Sequence, residues 1–172
     1  MIYRRIVESQ LRRAFAALNR GDHAPVLAAF GAPVEHAFFG AHALGGVRRD
    51  RPSIVAWYAR LKAIFPDLHF EIDAIAVSGM PWNTSALVEW RDTYTLPDGT
   101  RRGNQGVHAL RLAWGKVVSL RVYCDTQRLE GVLREMEAQG RAEATAAPIG
   151  EAPAQPAAPL ATTMPAHAAT GA

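Results

Sequence analysis

Cysteine is almost absent from this chain: Cys124 is the only one in 172 residues. A lone thiol excludes an internal disulfide and any cysteine knuckle for a metal, and free cysteines are commonly buried as small core residues. Lysine is scarce as well, since nearly all basic residues are arginines scattered as Arg12-Arg13, Arg48-Arg49, Arg101-Arg102, Arg111, Arg121 and Arg128. A formal charge of +3 invites a phosphate-binding reading, but no basic stripe interleaved with stacking aromatics occurs, which argues against a nucleic-acid partner. No apolar run approaches the length of a membrane crossing, and no signal-peptide stretch follows the charged segment Met1 to Glu8. The expectation is a cytoplasmic protein with no membrane contact. The His, Asp and Glu spacings match no standard metal site.

What is present is a chain with 49% hydrophobic residues, enough for one globular domain with extras. From Tyr3 to Asn19, Val7, Leu11, Phe15 and Leu18 recur at helical spacing. Gly21 ends this helix, and Asp22 can cap a second one through Val26, Leu27 and Phe30. A third opens at Asp50-Arg51-Pro52-Ser53, carries Ile54, Trp57, Tyr58, Leu61 and Ile64, and stops before Pro66. Alternating strands are expected over 68–77, 86–96, 103–114 and 117–124, joined by turns at Asp98-Gly99 and Gly115-Lys116, with a last helix from Gln127 to about Arg141. Helices first and a meander afterwards is an α+β arrangement. The domain is expected to span 1–141. The Ala- and Pro-rich remainder, 142–172, has too little large apolar surface to offset the entropy of ordering and is expected to be a disordered tail.

Two histidines occupy strand positions that should be aliphatic: His36 within Val34 to Phe38, and His108 within Val107 to Leu112. An imidazole there is either hydrogen-bonded as a structural group or lines a cavity as a titrating one. In the strand over 86–96, one face reads Ala86, Val88, Trp90, Asp92, Tyr94, Leu96, which places a carboxyl on an apolar surface. His108 shares a face with Leu110, Leu112 and Trp114, and the last strand turns Val118, Leu120, Val122 and Cys124 inward. If the hairpin loop is odd in length, Trp90 lies about opposite His108, with Asp92 as the diagonal neighbour within reach of its ring. Phe38, Trp57, Tyr58, Trp90, Leu110 and Val122 would line a pocket for an apolar planar compound. His42, in the glycine-flanked loop Gly40 to Gly46, would rim its opening, and Trp82 would cover one end of the sheet.

Residues 12–22, Arg-Arg-Ala-Phe-Ala-Ala-Leu-Asn-Arg-Gly-Asp, the strand Pro33-Val34-Glu35-His36, the stretch from Gly46 to Trp57, and Gly115 to Tyr123 together resemble the nuclear transport factor 2-like superfamily. Within it the chain looks most like the SnoaL-like polyketide cyclases and the ketosteroid isomerases, over residues 8–135. The resemblance implies a cone-shaped barrel in which a curved antiparallel sheet wraps around N-terminal helices, often as a homodimer, with a hydrophobic pocket between sheet and helices. It implies cofactor-independent proton transfer on an apolar cyclic or polyketide-like compound, by cyclisation, isomerisation or dehydration. His108 would be the acid or base, Asp92 would fix its tautomer and His36 would assist. His36 falls where the isomerases place their proton-shuttling aspartate. His108 falls where they have a hydrogen-bonding aspartic acid and the cyclases an acid/base aspartate. The isomerases' oxyanion tyrosine would fall at Ala14, which donates nothing to a developing negative charge. Of the aspartate pair and arginine used by limonene epoxide hydrolases, Asp92 matches one, while Trp90 and Val122 take the other two positions. These departures keep a second reading open, a non-catalytic ligand-binding or dimerisation module.

Overall fold

A computed structural model of the protein describes residues 2–152. Helix α1 (Ile2–Asn19) and the short α2 (Ala24–Ala29) precede strand β1 (Phe30–Phe38), the three-residue β2 (Gly46–Arg48) and helix α3 (Arg51–Ile64). The strands β3 (His69–Met80), β4 (Asn83–Thr95), β5 (Arg101–Ala113) and β6 (Lys116–Cys124) then form the meander, and α4 (Thr126–Ala138) closes it. The sheet order is β2-β1-β6-β5-β4-β3. Every pairing is antiparallel except β1 with β6, which is parallel, and the sheet stays open, with β2 and β3 as its edges. This is the expected α+β cone, short of a closed barrel and not wholly antiparallel.

Local chemistry sets the element ends. Asp50 accepts from Ser53 N at 2.8 Å to cap α3, and Asp125 accepts from Arg128 N at 3.0 Å to cap α4, each satisfying an otherwise orphaned amide. Phe30 begins β1 rather than ending α2, and β2 is too short to leave a periodic signal. α1 runs antiparallel beside β3. Asn19 exchanges two hydrogen bonds with the Phe70 backbone at one end, and Tyr3 Oη meets Thr84 Oγ1 at 2.6 Å at the other. Val7, Leu11 and Phe15 of α1 and Ile54, Trp57, Tyr58, Leu61 and Ile64 of α3 face the concave side of the sheet.

Burial along β4 alternates as expected, with Ala86, Val88, Trp90 and Tyr94 inside and Leu87, Glu89 and Arg91 outside. Two positions depart from the strand reading. A bulge between Arg111 and Leu112 pairs Leu112 with Val117, so Val117 is buried rather than Val118. Trp114 stands 74% exposed, because the β5–β6 turn carries it outward at φ +52°.

The segment 142–152, assigned to the tail by composition, packs on the domain. It forms a 3₁₀ turn over Ala142–Thr145 with Ala144 buried, and Glu151 bridges to Val47. The rest of the expected tail, 153–172, lies outside the described residues. Among the described residues no helix is long and apolar enough to cross a membrane.

Candidate functional site

The β4–β5 hairpin fixes the geometry of the site. Leu96 N donates to Thr100 O at 2.9 Å, leaving Pro97, Asp98 and Gly99 to turn the chain, with Gly99 at φ +85°. The loop is odd, so the inward faces share a register, but the pairing is two residues away from the expected one. His108 lies opposite Val88, Trp90 opposite Gly106, and Asp92 opposite Asn104. Trp90 is thus the diagonal neighbour of His108, and its Nε1 donates to His108 Nδ1 at 2.5 Å. Asp92, expected to hold that ring, bonds elsewhere: its Oδ1 accepts from Asn104 N at 2.6 Å.

Because an indole can only donate, Nδ1 of His108 must be the acceptor, and the neutral ring carries its proton on Nε2. Burial pushes the His108 pKa down to about 3, so the ring stays neutral at physiological pH. Nε2 is not among the fully buried atoms without a partner, and the ring lines two cavities. His108 therefore presents an N–H donor to the interior. Phe15 packs edge-on against the ring at 5.2 Å between centroids.

Gly106 makes this arrangement possible. A Cβ there would collide with the Tyr123 carbonyl oxygen of the neighbouring strand and lie 2.7 Å from Trp90 Cζ2, so a side chain would strain the β5–β6 pairing and crowd the indole against its partner. Gly106→Ala is expected to cost about 1–3 kcal/mol by overpacking. A urea titration measures it, and near-ultraviolet circular dichroism would report the displaced indole.

Beyond His108 the cavity turns polar. Burial raises the Asp92 pKa to about 6, against the opposing pull of the Asn104 N–H and Arg128. Tyr94 is buried and its hydroxyl has no partner among the described residues. Asn104 is committed, its Nδ2 to Asp125 O at 3.0 Å and its Oδ1 to Gln105 N at 2.8 Å. Burial pushes the Cys124 thiol up to about 12, which keeps it protonated and unsuited to nucleophilic attack. Tyr94 was legible as a member of the same inward row as Asp92, yet only its unsatisfied hydroxyl marks it as part of the site.

Two spaces meet at His108. The inner one, about 50 Å³, is walled by Phe38, Trp57, Tyr58, Trp90, Asp92 and Val122 among others. The outer one, about 520 Å³, lies between α1 and the sheet and includes Leu11, Ala14, Phe15 and Leu110. Leu18, Tyr58 and His108 belong to both walls. Six of the seven pocket residues expected from sequence, Phe38, Trp57, Tyr58, Trp90, Leu110 and Val122, thus line one space or the other. His42 lines neither, being folded back with Nε2 on Phe39 O at 3.0 Å and its ring against Phe38.

His36 is also apart from both spaces. Its ring is fully buried, edge-on to Trp57 at 4.5 Å, and its Nδ1 accepts from Arg48 Nε at 2.8 Å. The same guanidinium donates to Gly45 O, Gly46 O and Ile149 O at 2.7–2.9 Å and lies over Trp57. Burial and the adjacent cation hold the His36 pKa well below its usual value. The ring is thus held in the core away from both spaces, with its Nε2 buried and without a partner among the described residues, and nothing in the sequence pointed to its arginine partner. No cluster of three or more potential metal ligands occurs among the described residues.

A family model described as a SnoaL-like domain matches residues 11–120. No curated protein matches the sequence. Among solved structures, an NTF2-like protein of unknown function from Burkholderia pseudomallei is 20% identical, with a TM-score of 0.65 over 73% of this chain and 95% of that one. AclR from Streptomyces galilaeus, described as a proposed hydroxylase, is 19% identical, with a TM-score of 0.60 over 76% and 80%. A proposed SnoaL-like polyketide cyclase from a Jannaschia species is 18% identical, with a TM-score of 0.57 over 72% and 88%. At these identities the structures establish the shared fold, while the family model covers most of the chain. By that match and by its α+β cone, the chain belongs to the SnoaL-like domain family of the nuclear transport factor 2-like superfamily.

Proposed function

We propose that the protein is an acid/base catalyst acting on an apolar ring compound that carries an enolisable carbonyl. The observation that carries this reading is a carboxyl group, Asp92, in the wall of a cavity lined mainly by aliphatic and aromatic side chains, in company with two uncommitted donors. In this reading the roles expected from sequence are exchanged. His108 has its only lone pair engaged by Trp90, so it serves as a donor. Asp92, with a pKa near the working pH, is the group that exchanges a proton.

In the proposed step the Asp92 carboxylate removes a proton from the carbon beside the carbonyl, and the C–H bonding pair moves into the enolate. His108 Nε2–H and the Tyr94 hydroxyl donate to the oxygen where charge develops, the service that Ala14 does not supply. Return of the proton to another carbon isomerises the compound, while attack of the enolate carbon on a second carbonyl breaks that C=O π bond and closes a ring, the resulting alkoxide taking the proton back from Asp92. The step uses protein groups alone. A typical ligand site is about 300–1,000 Å³, so the ring body fits the outer space, and the carbonyl end reaches past His108 into the inner one.

A thermal-shift screen with aromatic polyketides and steroids, followed by chromatography for product, tests the reading. A ring ketone is expected to raise the melting temperature and to be converted. Binding without conversion would instead support a non-catalytic ligand carrier, which the small volume beside Asp92 favours. Neither binding nor conversion would overturn both. We further infer a homodimer through the convex sheet face, where exposed Leu87 lies between Ala76 and Ala109.

A further inference from the structure

We propose that one end of the molecule, formed by the start of α1 and the β3–β4 and β5–β6 turns, docks on an anionic lipid bilayer. Eight large apolar side chains are exposed among the described residues, and five of them, Ile2, Ile6, Met80, Trp82 and Trp114, lie at this end, each 50–78% exposed. The structure binds the three segments together. Tyr3 Oη bonds Thr84 Oγ1, which in turn donates to Met80 O at 2.7 Å. Trp114 N donates to Pro81 O at 2.6 Å. The rings of Trp82 and Trp114 approach to 6.1 Å. An exposed apolar cluster of this kind marks a contact surface rather than ordinary surface scatter.

Charge selects the occupant. Arg4 and Arg5 lie between Ile2 and Ile6 on α1, Arg111 reaches Asn83 beside Trp82, and segments 2–6, 80–83 and 111–116 contain no carboxylate. The nearest acid along α1, Glu8, is paired with Arg12 at 3.0 Å. Arg111 donates to Asn83 Oδ1, a neutral acceptor, so its charge is not cancelled by a carboxylate. Tryptophan at an interface, aliphatic side chains beside it and a cationic rim are the features that hold a protein on an anionic membrane surface. A second copy would bring two cationic rims together. A nucleic-acid strand would have no use for Ile2, Ile6 and Met80, which cannot stack on bases as aromatic rings do. The outer cavity extends to Gly115 and Val117 beside this end, so an apolar guest would enter it close to the bilayer. Docking itself stands apart from the proton-transfer reading, because its readout is binding.

Co-sedimentation of the full chain with vesicles tests the proposal, comparing pure phosphatidylcholine with vesicles containing one-third phosphatidylglycerol. Binding is expected to be at least about tenfold stronger to the anionic vesicles and to weaken in 0.5 M salt, since each cation at such a surface is worth about fivefold in partition. Tryptophan emission is expected to shift to the blue, which must come from Trp82 and Trp114 because Trp57 and Trp90 are already buried. The double variant Trp82→Ser with Trp114→Ser is expected to lose about tenfold or more of the binding. Arg4→Glu with Arg5→Glu should do the same without touching the aromatic pair. Absence of vesicle binding, binding unaffected by both variants, capture of single-stranded DNA in preference to vesicles, or concentration-dependent self-association removed by the tryptophan variant would each overturn it.

Discussion

Arg48→Ala is expected to lower the unfolding free energy by about 3–5 kcal/mol, because four buried acceptors lose their donor at once. Arg48 is 1% exposed and, among the described residues, has no carboxylate partner; its guanidinium meets three carbonyls, one imidazole and the face of Trp57. Removing it strands His36 Nδ1 and the carbonyls of residues 45, 46 and 149 in a dry interior, and each unsatisfied acceptor costs roughly 1–3 kcal/mol before relaxation. Water entering the vacated space would recover part of that, which keeps the total below the simple sum. For a chain of this length the loss corresponds to a fall of roughly 10 °C in Tm, read by calorimetry. Arg48→Lys is expected to recover little, because an ammonium cannot reproduce the planar fork that reaches the imidazole and loop carbonyls together. A loss below 1 kcal/mol would show that the cluster is not what ties β2 and the segment around Ile149 to the domain.

That cluster also marks the limit of what the sequence discloses. The alternation in 86–96 singled out Asp92 because a period of two is a local property, and the same reasoning put His108 on the inner face. It could not settle which residue of β4 lies opposite His108. Pairing Leu96 with Thr100 rather than its neighbours fixes the register for the whole hairpin, and a shift of two residues replaces Asp92 with Trp90 as the diagonal partner without altering either face. The tautomer of His108, and with it the division of labour in the site, therefore depends on a turn. His36 and Arg48 belong to different strands, with the remaining partners coming from backbone carbonyls, one of them in residues that composition assigned to the tail. The apolar end has a similar origin. Ile2, Met80 and Trp114 are ordinary single residues in their own segments, and the patch exists only once α1 lies along β3 and the two turns are joined.

The inner cavity holds the other large effect. Asp92→Asn is expected to reduce kcat by about 10²–10⁴-fold on any ring ketone the protein converts, the usual contribution of a positioned general base, with substrate affinity nearly unchanged because the amide keeps the acceptor for Asn104 N–H. The pH profile of kcat/KM should rise with an apparent pKa of about 6 as Asp92 ionises. His108, held near 3, contributes no limb between pH 5 and 8. His108→Gln should slow the reaction yet leave the limb in place, and Asp92→Asn should abolish it. A limb that survives in Asp92→Asn would assign the proton to another group. Stability gives a second reading that needs no substrate. The unfolded carboxyl loses its proton near its model value of 3.8, whereas the folded one keeps it until about 6. The wild type therefore loses stability as pH rises through that window, and Asp92→Asn, which has no charge to bury, does not. The variant is expected to match the wild type at pH 3 and to melt higher at pH 8. The reverse order at pH 8 would mean that the folded protein favours the Asp92 carboxylate, and the kcat/KM limb would then lie below pH 6.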